Sequence, residues 1–285
     1  MATIPHKPEW LRVKIPSGDT FRQVDAVLAQ RRLHTVCQEA RCPNKAECWG
    51  GGTATFMLMG DVCTRNCRFC AVAGAREGVP LRAGEGADIA LAAAELGLSY
   101  VVLTSVDRDD LADRGAGHFA SCVRSIREQL PGVKTEALIP DYTAAELTCF
   151  AASLPDVIAH NVETVRSLQW IRDSRASFDK SLATLRAAKA LGALTKTSLM
   201  LGLGEKEAEV LAAMDELRLA GVDILVLGHY LQPTQKQLPV VEYIPPAQFD
   251  AYAEAGKRKG FASVVAAPLA RTSYHAREAA EPSAA

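Results

Sequence analysis

Short apolar runs alternate with helix-like segments along most of the chain after residue 52. Apolar residues recur every three or four positions in four of the intervening segments, which predicts amphipathic helices at residues 117–130, 141–154, 177–192 and 205–221. The apolar runs read as buried strands at residues 53–59, 99–105, 133–139, 156–161, 194–201 and 222–228. Strands that alternate with helices predict βαβ units and a parallel sheet covered by helices. We therefore expect an α/β fold, a partial (β/α)6 TIM-type barrel with an extension at each end.

The segments outside this repeat divide the chain into three parts. Residues 1–52 form an N-terminal extension rich in charge, glycine and cysteine, and residues 53–231 form the partial-barrel core. Residues 232–285 form a C-terminal extension that closes the barrel, with a last helix over 246–259. The polar composition from residue 277 onward predicts a disordered tail.

The composition indicates the cellular compartment and limits the classes of partner. The 285 residues carry 32 Lys and Arg against 33 Asp and Glu, so no global charge favours nucleic acid or a membrane surface. No window resembles a signal peptide or a membrane span, and we expect a cytoplasmic protein without a membrane or nucleic-acid partner. In a reducing compartment, the eight cysteines indicate metal binding or catalysis and not disulfides.

Three of these cysteines directly follow the first predicted strand. Cys63, Cys67 and Cys70 have the spacing C-x3-C-x2-C, at the strand end where βα barrels place their active sites. Structural zinc usually takes four protein ligands, often as paired cysteines. Three thiolates on an iron–sulfur cubane leave one iron open to a substrate or cofactor. Ligand softness alone does not decide between the two, because thiolates bind both metals.

This motif, with Phe69 just before its last cysteine, resembles the radical S-adenosylmethionine superfamily. The resemblance implies that the amino and carboxylate groups of S-adenosylmethionine chelate the open iron. It also implies that one electron from the cluster cleaves the sulfonium to give methionine and a 5′-deoxyadenosyl radical, which abstracts hydrogen from unactivated carbon.

A second array, C-x4-C-x5-C, is formed by Cys37, Cys42 and Cys48. A small zinc or disulfide knot is the alternative for this array. It resembles the auxiliary-cluster motif of the lipoyl synthase family, and further blocks such as "VVLTSVDRDDL", "GAGHFA" and "RTSYHA" follow in the family's order. The resemblance covers about residues 8–277.

The resemblance implies a serine as fourth ligand of the auxiliary cluster. The family's carboxy-terminal Arg-Ser-Ser-Tyr motif reads Arg271-Thr272-Ser273-Tyr274 here, and we carry the ligand over to Ser273. Iron–sulfur clusters prefer soft thiolates, so a hard alkoxide is the ligand most easily released. Arg271 could stabilise the released alkoxide or a substrate carbonyl.

The implied reaction inserts two sulfur atoms at C6 and C8 of an octanoyl group bound to a carrier lysine. The implied cofactors are two [4Fe-4S] clusters and S-adenosylmethionine, with the auxiliary cluster consumed as sulfur donor. The implied partners are an octanoylated lipoyl domain or the glycine-cleavage H protein, an electron donor such as ferredoxin or flavodoxin, and an iron–sulfur carrier for cluster repair.

Polar residues after the apolar strands are the candidates for contacts to S-adenosylmethionine. With Phe69 they are Ser105, Asp107, Asn161, Glu163 and Arg175. Each could instead cap a helix or brace a loop.

Two other functions are compatible with the cysteine arrays. One is another radical S-adenosylmethionine enzyme that inserts sulfur, such as a biotin synthase relative or a methylthiotransferase. A methylthiotransferase would be expected to add an RNA-binding domain and a basic charge balance, neither of which is present. The other, from a different class, is a zinc-binding module that recognises RNA or protein.

Overall fold

The computed structural model describes residues 7–13, 18–51 and 53–281. The chain forms two compact units. The first unit comprises Val13–Asn66 and Ala71–Ile158, and the second comprises Met1–Arg12, Cys67–Cys70 and Ala159–Ala285. Each unit is described separately below.

The first unit contains the predicted strands of the first half of the chain together with three short ones. The strands are β1 (His34–Thr35), β2 (Thr55–Leu58), β3 (Val62–Cys63), β4 (Ala73–Gly74), β5 (Tyr100–Ser105), β6 (Lys134–Leu138) and β7 (Val157–Ala159), whose last residue belongs to the second unit. β2 pairs in parallel with β5, and β5 with β6, whereas β1 runs antiparallel to β2. The carboxyl ends of β2, β5 and β6 therefore lie at one edge of the sheet.

Helices cover this parallel sheet. They are α1 (Asp19–Gln30), α2 (Val36–Glu39), α3 (Lys45–Gly50), α4 (Glu85–Glu95), α5 (Ala116–Gln129) and α6 (Ala144–Leu147). In α5, Phe119, Val123 and Ile126 are fully buried at helical spacing, which confirms the predicted amphipathic face. α4 and α5 pack closely because Gly86 lacks a Cβ, and a Cβ there would lie 2.7 Å from the Cα of Cys122.

The predicted helix over 141–154 is shorter than its apolar spacing suggests. The structure forms only α6, followed by a 3-10 turn at Thr148–Phe150. Thr143 starts the helix with a capping box to Glu146. Thr148 Oγ1 then donates to the Ala145 carbonyl at 2.6 Å, a local bond that competes with continuation of the helix.

The second unit repeats the same strand–helix alternation. Its elements are 3-10 helices at Glu9–Leu11 and Arg166–Ile171, then α7 (Phe178–Ala190), β8 (Leu194–Leu201), α8 (Glu207–Leu219), β9 (Ile224–His229), α9 (Pro246–Arg258), β10 (Ser263–Ala267) and α10 (Ala276–Ala280). β8, β9 and β10 form consecutive parallel pairs. Apolar residues of α7, α8 and α9 pack against β8 and β9 in one core.

Two features of this unit differ from the sequence-based expectation. β10 is a parallel strand inside the predicted C-terminal extension, and no strand was expected there. α10 occupies the start of the predicted disordered tail, where Ala276 and Ala279 are buried and so anchor one turn of helix. Residues 282–285 of that tail lie outside the described part of the chain. The division at residues 52 and 231 stays a prediction.

Candidate metal centre

The array of Cys37, Cys42 and Cys48 is built in the first unit from two short helices. Thr35 caps α2 by accepting the N–H of Gln38 at 3.3 Å, which places Cys37 in the first turn. The Cys42 N–H then bonds to the Cys37 carbonyl at 3.1 Å and closes a tight turn. Cys48 lies in α3, one turn after Lys45.

The electrostatics of these thiols show that they lie near one another. The pKa of Cys48 is raised to about 12, mainly by burial and also by the neighbouring Cys37 and Cys42. Burial also raises the pKa of Cys37 to about 11, together with the neighbouring Cys42 and against the opposing effect of the Thr55 backbone. Burial thus disfavours the charged form of Cys37 and Cys48, and a bound cation would convert the thiols of this soft donor set to thiolates. The residues therefore fit an iron–sulfur cluster.

Aromatic packing encloses this array. Trp49 is fully buried, and its ring centroid lies 5.1 Å from that of Phe21. The ammonium of Lys45 lies 4.1 Å from the Trp49 ring, a cation–π contact that covers the outer face. The two rings therefore pack beside α3, the helix that carries Cys48, with the Lys45 ammonium on one of them.

Cys63 lies in the same unit but in a polar setting. It ends β3, and the Ala75 N–H bonds to its carbonyl at 3.0 Å. Its Sγ accepts the Arg65 backbone N–H at 3.4 Å and lies 3.9 Å from Asp107 Oδ2. A backbone N–H directed at sulfur favours the thiolate form that binds iron.

Arg65, two residues after Cys63, anchors the loop through buried ion pairs. Its guanidinium reaches Asp109 through two bonds of 2.9 Å and Asp141 at 2.7 Å, and it lies 3.4 Å from Asp107. Burial by itself would lower the pKa of Arg65, but these carboxylates raise it above its usual range. The side chain is 5% exposed, and that of Asp141 is 1% exposed. Arginine is suited to this position because its planar fork binds several carboxylates.

Cys67 and Cys70 belong to the second unit, where backbone bonds fix their loop. The Asp173 N–H bonds to Cys67 Sγ at 3.3 Å, and the Cys70 N–H bonds to the Cys67 carbonyl at 3.0 Å. Gln237 Nε2 donates to the Cys70 carbonyl at 3.0 Å. Cys67 thus receives a backbone donor in the same way as Cys63 does, and such a donor favours the thiolate form that binds iron.

Phe69 packs with an apolar group of the second unit that includes Ile171, Leu203 and Tyr230. The neighbouring Arg68 is exposed, and its guanidinium stacks 5.1 Å from the centre of the half-exposed Trp170 ring. The Phe69 ring therefore braces the loop from inside while Arg68 and Trp170 face solvent.

The other predicted cofactor contacts lie at strand ends or in nearby loops, as expected. Ser105 ends β5 in the first unit, and its Oγ is buried without a hydrogen-bond partner. This hydroxyl is therefore available to bond with a ligand. In the second unit Glu163 has a positive φ of 72° and bridges to Leu199 of β8. The Arg175 guanidinium pairs with Asp173 at 2.7 Å and 3.0 Å. Their roles stay predictions.

The segment that carries Ser273 is tied to the second unit through its neighbour. Thr272 is buried, and its Oγ1 lies 2.9 Å from Asn161 Oδ1 and 3.0 Å from Ser198 Oγ. Ser273 is half-buried, and Arg271 donates to the Ala270 carbonyl at 2.7 Å. The Thr272 hydroxyl is thus occupied by bonds within the protein.

Sequence reasoning missed Arg65 and its partners Asp109 and Asp141. Two sequence features could have indicated these ion pairs: the arginine inside the cysteine motif and the run of acidic residues after β5. It also missed a cluster of Glu85, His118 and Cys122 in the first unit, whose spacing would suit a metal ion. In the structure Glu85 Oε2 accepts the Met59 N–H at 3.1 Å and lies 2.7 Å from His118 Nε2, so the carboxylate ties the end of β2 to α4 and α5.

Comparison with known proteins shows the family of the chain. The model of the Radical SAM superfamily matches residues 57–217, and that of the N-terminal domain of lipoyl synthase of the Radical_SAM family matches residues 2–42. Lipoyl synthase of Anaeromyxobacter dehalogenans is 51% identical over 277 residues, which cover 95% of this chain and 94% of that protein. Mitochondrial lipoyl synthase of Danio rerio is 51% identical over 281 residues, 95% of this chain and 70% of that protein.

Solved structures of low identity share the fold. Methylornithine synthase (PylB) has a TM-score of 0.59 at 16% identity, covering 84% of this chain and 69% of that one. The hydrogenase maturase HydG from Carboxydothermus hydrogenoformans has a TM-score of 0.60 at 16% identity, covering 80% and 56%. The predicted α/β fold, consistent with a partial TIM-type barrel, is confirmed. Within the described residues, no helix is long and apolar enough to cross a membrane. On its family matches and its identity to curated relatives, the chain belongs to the lipoyl synthase family of the radical S-adenosylmethionine superfamily.

Proposed function

We propose that this enzyme converts an octanoyl-lysine of a carrier protein into lipoyl-lysine by inserting sulfur at C6 and C8. The observation that carries the proposal is the presence of two separate cysteine arrays, one that includes Cys63 beside a set of buried ion pairs and one in the short helices α2 and α3 and the turn between them. Family membership implies a [4Fe-4S] cluster and S-adenosylmethionine for the first array. The second cluster, its sulfur-donor role and its Ser273 ligand are our further proposal.

The chain's own residues supply positioning and charge. Cys63, Cys67 and Cys70 would hold the first cluster, which when bound supplies the electron that cleaves S-adenosylmethionine. The backbone donors on Cys63 and Cys67 hold those thiolates in place. Ser105, Asp107, Asn161, Glu163 and Arg175, with Phe69, are the proposed contacts that orient the cofactor.

The auxiliary cluster is a substrate in this proposal because its sulfur enters the product. Cys37, Cys42 and Cys48 would hold it, with Ser273 as the fourth ligand. The bonds of Thr272 to Asn161 and Ser198 support this choice, because its hydroxyl already has two partners. Arg271 would stabilise the serine alkoxide when it leaves iron.

The carrier protein is proposed as a lipoyl domain or the glycine-cleavage H protein. A one-electron donor such as ferredoxin or flavodoxin and an iron–sulfur carrier for repair complete the proposed partners. Family membership supports a lipoyl-domain substrate; the identities of the other partners follow from the chemistry that the reaction needs.

The test is mass spectrometry of an octanoyl-lysine peptide incubated anaerobically with the enzyme, S-adenosylmethionine and dithionite. We expect Cys63→Ala to abolish cofactor cleavage and Cys37→Ala to retain some cleavage without sulfur insertion. Cys149→Ala is the matched control, because Cys149 is exposed and outside both arrays.

Metal and sulfide analysis separates the alternatives. About eight irons and eight sulfides per chain fit two cubanes. Zinc without sulfide would support a binding module and exclude the proposed reaction. Equal yields of lipoyl product from Cys37→Ala and the parent enzyme would exclude the second array as the sulfur source.

A further inference from the structure

The ion pairs around Arg65 contain more carboxylates than guanidinium groups. Within the first unit, Arg65 pairs with Asp107, Asp109 and Asp141. Asp141 also accepts a bond of 2.9 Å from Arg114, which in turn pairs with Glu146. The whole set thus contains four carboxylates and two arginines. Its central members, Arg65 and Asp141, are buried.

This set reaches a cluster ligand by two contacts of opposite effect. The Arg65 backbone N–H donates to Cys63 Sγ at 3.4 Å, whereas a carboxylate oxygen of Asp107 lies 3.9 Å from the same sulfur. The Arg65 guanidinium lies 3.4 Å from that carboxylate and screens it. One residue therefore both bonds to the thiolate and offsets its nearest anion.

The charge of such neighbours matters because reduction adds one negative charge to the cluster. A nearby carboxylate disfavours that charge, and a guanidinium or an N–H directed at sulfur favours it. These effects are large where water is excluded, because the effective dielectric constant is low. The side chain of Arg65 is 5% exposed, so its charge is poorly screened by solvent.

We propose that Arg65 is a positioning residue that sets the reduction potential of the cluster held at Cys63, by bonding the thiolate and by screening Asp107. Asp109 and Asp141 hold the guanidinium in place and offset part of its charge. The inference rests on the proposed function, since it requires that Cys63 binds a redox-active cluster.

Two substitutions shift the potential in opposite directions. Arg65→Gln removes the screening charge and is expected to make reduction about tenfold less favourable, about 59 mV more negative for a one-electron couple. Asp109→Asn keeps the side-chain volume, removes one anion from Arg65, and is expected to shift the potential by a similar amount in the positive direction. Loss of structure alone would not give opposite signs.

Two further variants separate charge from geometry. Arg65→Lys keeps the positive charge but cannot form the forked bonds, so we expect a potential closer to the parent than that of Arg65→Gln. Asp110→Asn is the matched control, because Asp110 pairs with Arg108 at 2.8 Å and has no ion pair with Arg65. The reduction potential of Asp110→Asn should differ from that of the parent by much less than the potential of Asp109→Asn does.

The potential is read by EPR during titration with dithionite at fixed pH, without S-adenosylmethionine. All variants carry Cys37→Ala, so that the cluster at Cys63 alone contributes to the signal. Iron and sulfide content is measured on each sample. Opposite shifts for Arg65→Gln and Asp109→Asn would support the inference.

Three results would overturn the inference. They are equal potentials in all variants, shifts of the same sign, or a shift in Asp110→Asn as large as that in Asp109→Asn. If Arg65→Gln does not fold, the positive shift expected for Asp109→Asn, compared with Asp110→Asn, still decides. Absence of iron and sulfide from the parent enzyme would instead refute the proposed function, whereas a parent that makes product with unshifted variants refutes this inference alone.

Discussion

Replacement of Thr272 by valine tests which hydroxyl of the carboxy-terminal motif binds the auxiliary cluster. A hydroxyl has one proton, so Thr272 Oγ1 can donate to Asn161 Oδ1 at 2.9 Å while it accepts from Ser198 Oγ at 3.0 Å. Valine has nearly the same shape and removes both bonds. The buried Ser198 and the partly buried Asn161 then lose a partner, and little water can replace it because residue 272 is only 6% exposed.

The expected loss of stability follows from these two bonds. Each net hydrogen bond contributes about 0.5–1.5 kcal/mol, so Thr272→Val should lower the free energy of unfolding by about 1–3 kcal/mol. In domains of about 150–250 residues, each kcal/mol corresponds to about 2–4 °C in Tm. Thermal unfolding followed by circular dichroism measures the shift. Thr148→Val is the control, since Thr148 is exposed and its hydroxyl bonds only to a local carbonyl.

Product analysis completes the test. At saturating S-adenosylmethionine we expect Thr272→Val to keep sulfur insertion although it is less stable, and Ser273→Ala to lose it. The reasoning would be refuted if Thr272→Val lost all sulfur insertion with an unchanged Tm while Ser273→Ala remained active. That pattern would make Thr272 the ligand and its two bonds incidental.

Two further substitutions test the packing and charge of the separate units. A Cβ at Gly228 of β9 would lie 2.0 Å from the Ala270 carbonyl oxygen, so Gly228→Ala should displace the segment before Ser273, the proposed ligand. We expect the free energy of unfolding to fall by about 1–3 kcal/mol, seen as a lower Tm, and sulfur insertion to fall more than cofactor cleavage. Burial would raise the pKa of Glu146, but Arg114 and Thr143 hold it at about 2. The lowered pKa of Glu146 stabilises the fold above about pH 4.5, and this contribution is lost as the pH falls towards 2. Glu146→Gln should therefore lower the free energy of unfolding by about 1–2 kcal/mol at neutral pH, and its difference in Tm from the parent should shrink between about pH 5 and pH 2.

The parallel strands were predictable because their apolar runs are continuous and bounded by helix signals. β5 and β8 lie within one residue of the expected bounds. β10 was missed because its five residues, Ser263–Ala267, are only half-buried and short, and they follow a segment without the strand–helix rhythm. The length of the helix over 141–154 was overestimated, because apolar spacing gives no sign of the hydrogen bond from the Thr148 hydroxyl to the Ala145 carbonyl.

Only those parts of the site that follow from the spacing of residues along the chain could be predicted. The cysteine arrays stand in the sequence as fixed motifs, and Asp107 was singled out because it follows the strand β5. Which aspartate binds Arg65 could not be deduced, because Asp109 and the adjacent Asp110 differ only in side-chain direction. The structure assigns Asp109 to Arg65 and Asp110 to Arg108.

The two cysteine arrays differ in the charges around them, and this difference suits two different tasks. Near Cys63, arginine and carboxylate charges are held in place, so small changes in their balance alter the ease with which a bound cluster takes an electron. At Cys37 and Cys48, by contrast, burial is the main cause of the raised thiol pKa values. Thiolates in that setting depend on their metal for charge stabilisation, so each iron lost makes protonation and release of the remaining ligands easier. A cluster that is consumed needs this property, whereas a cluster that cycles electrons needs the opposite.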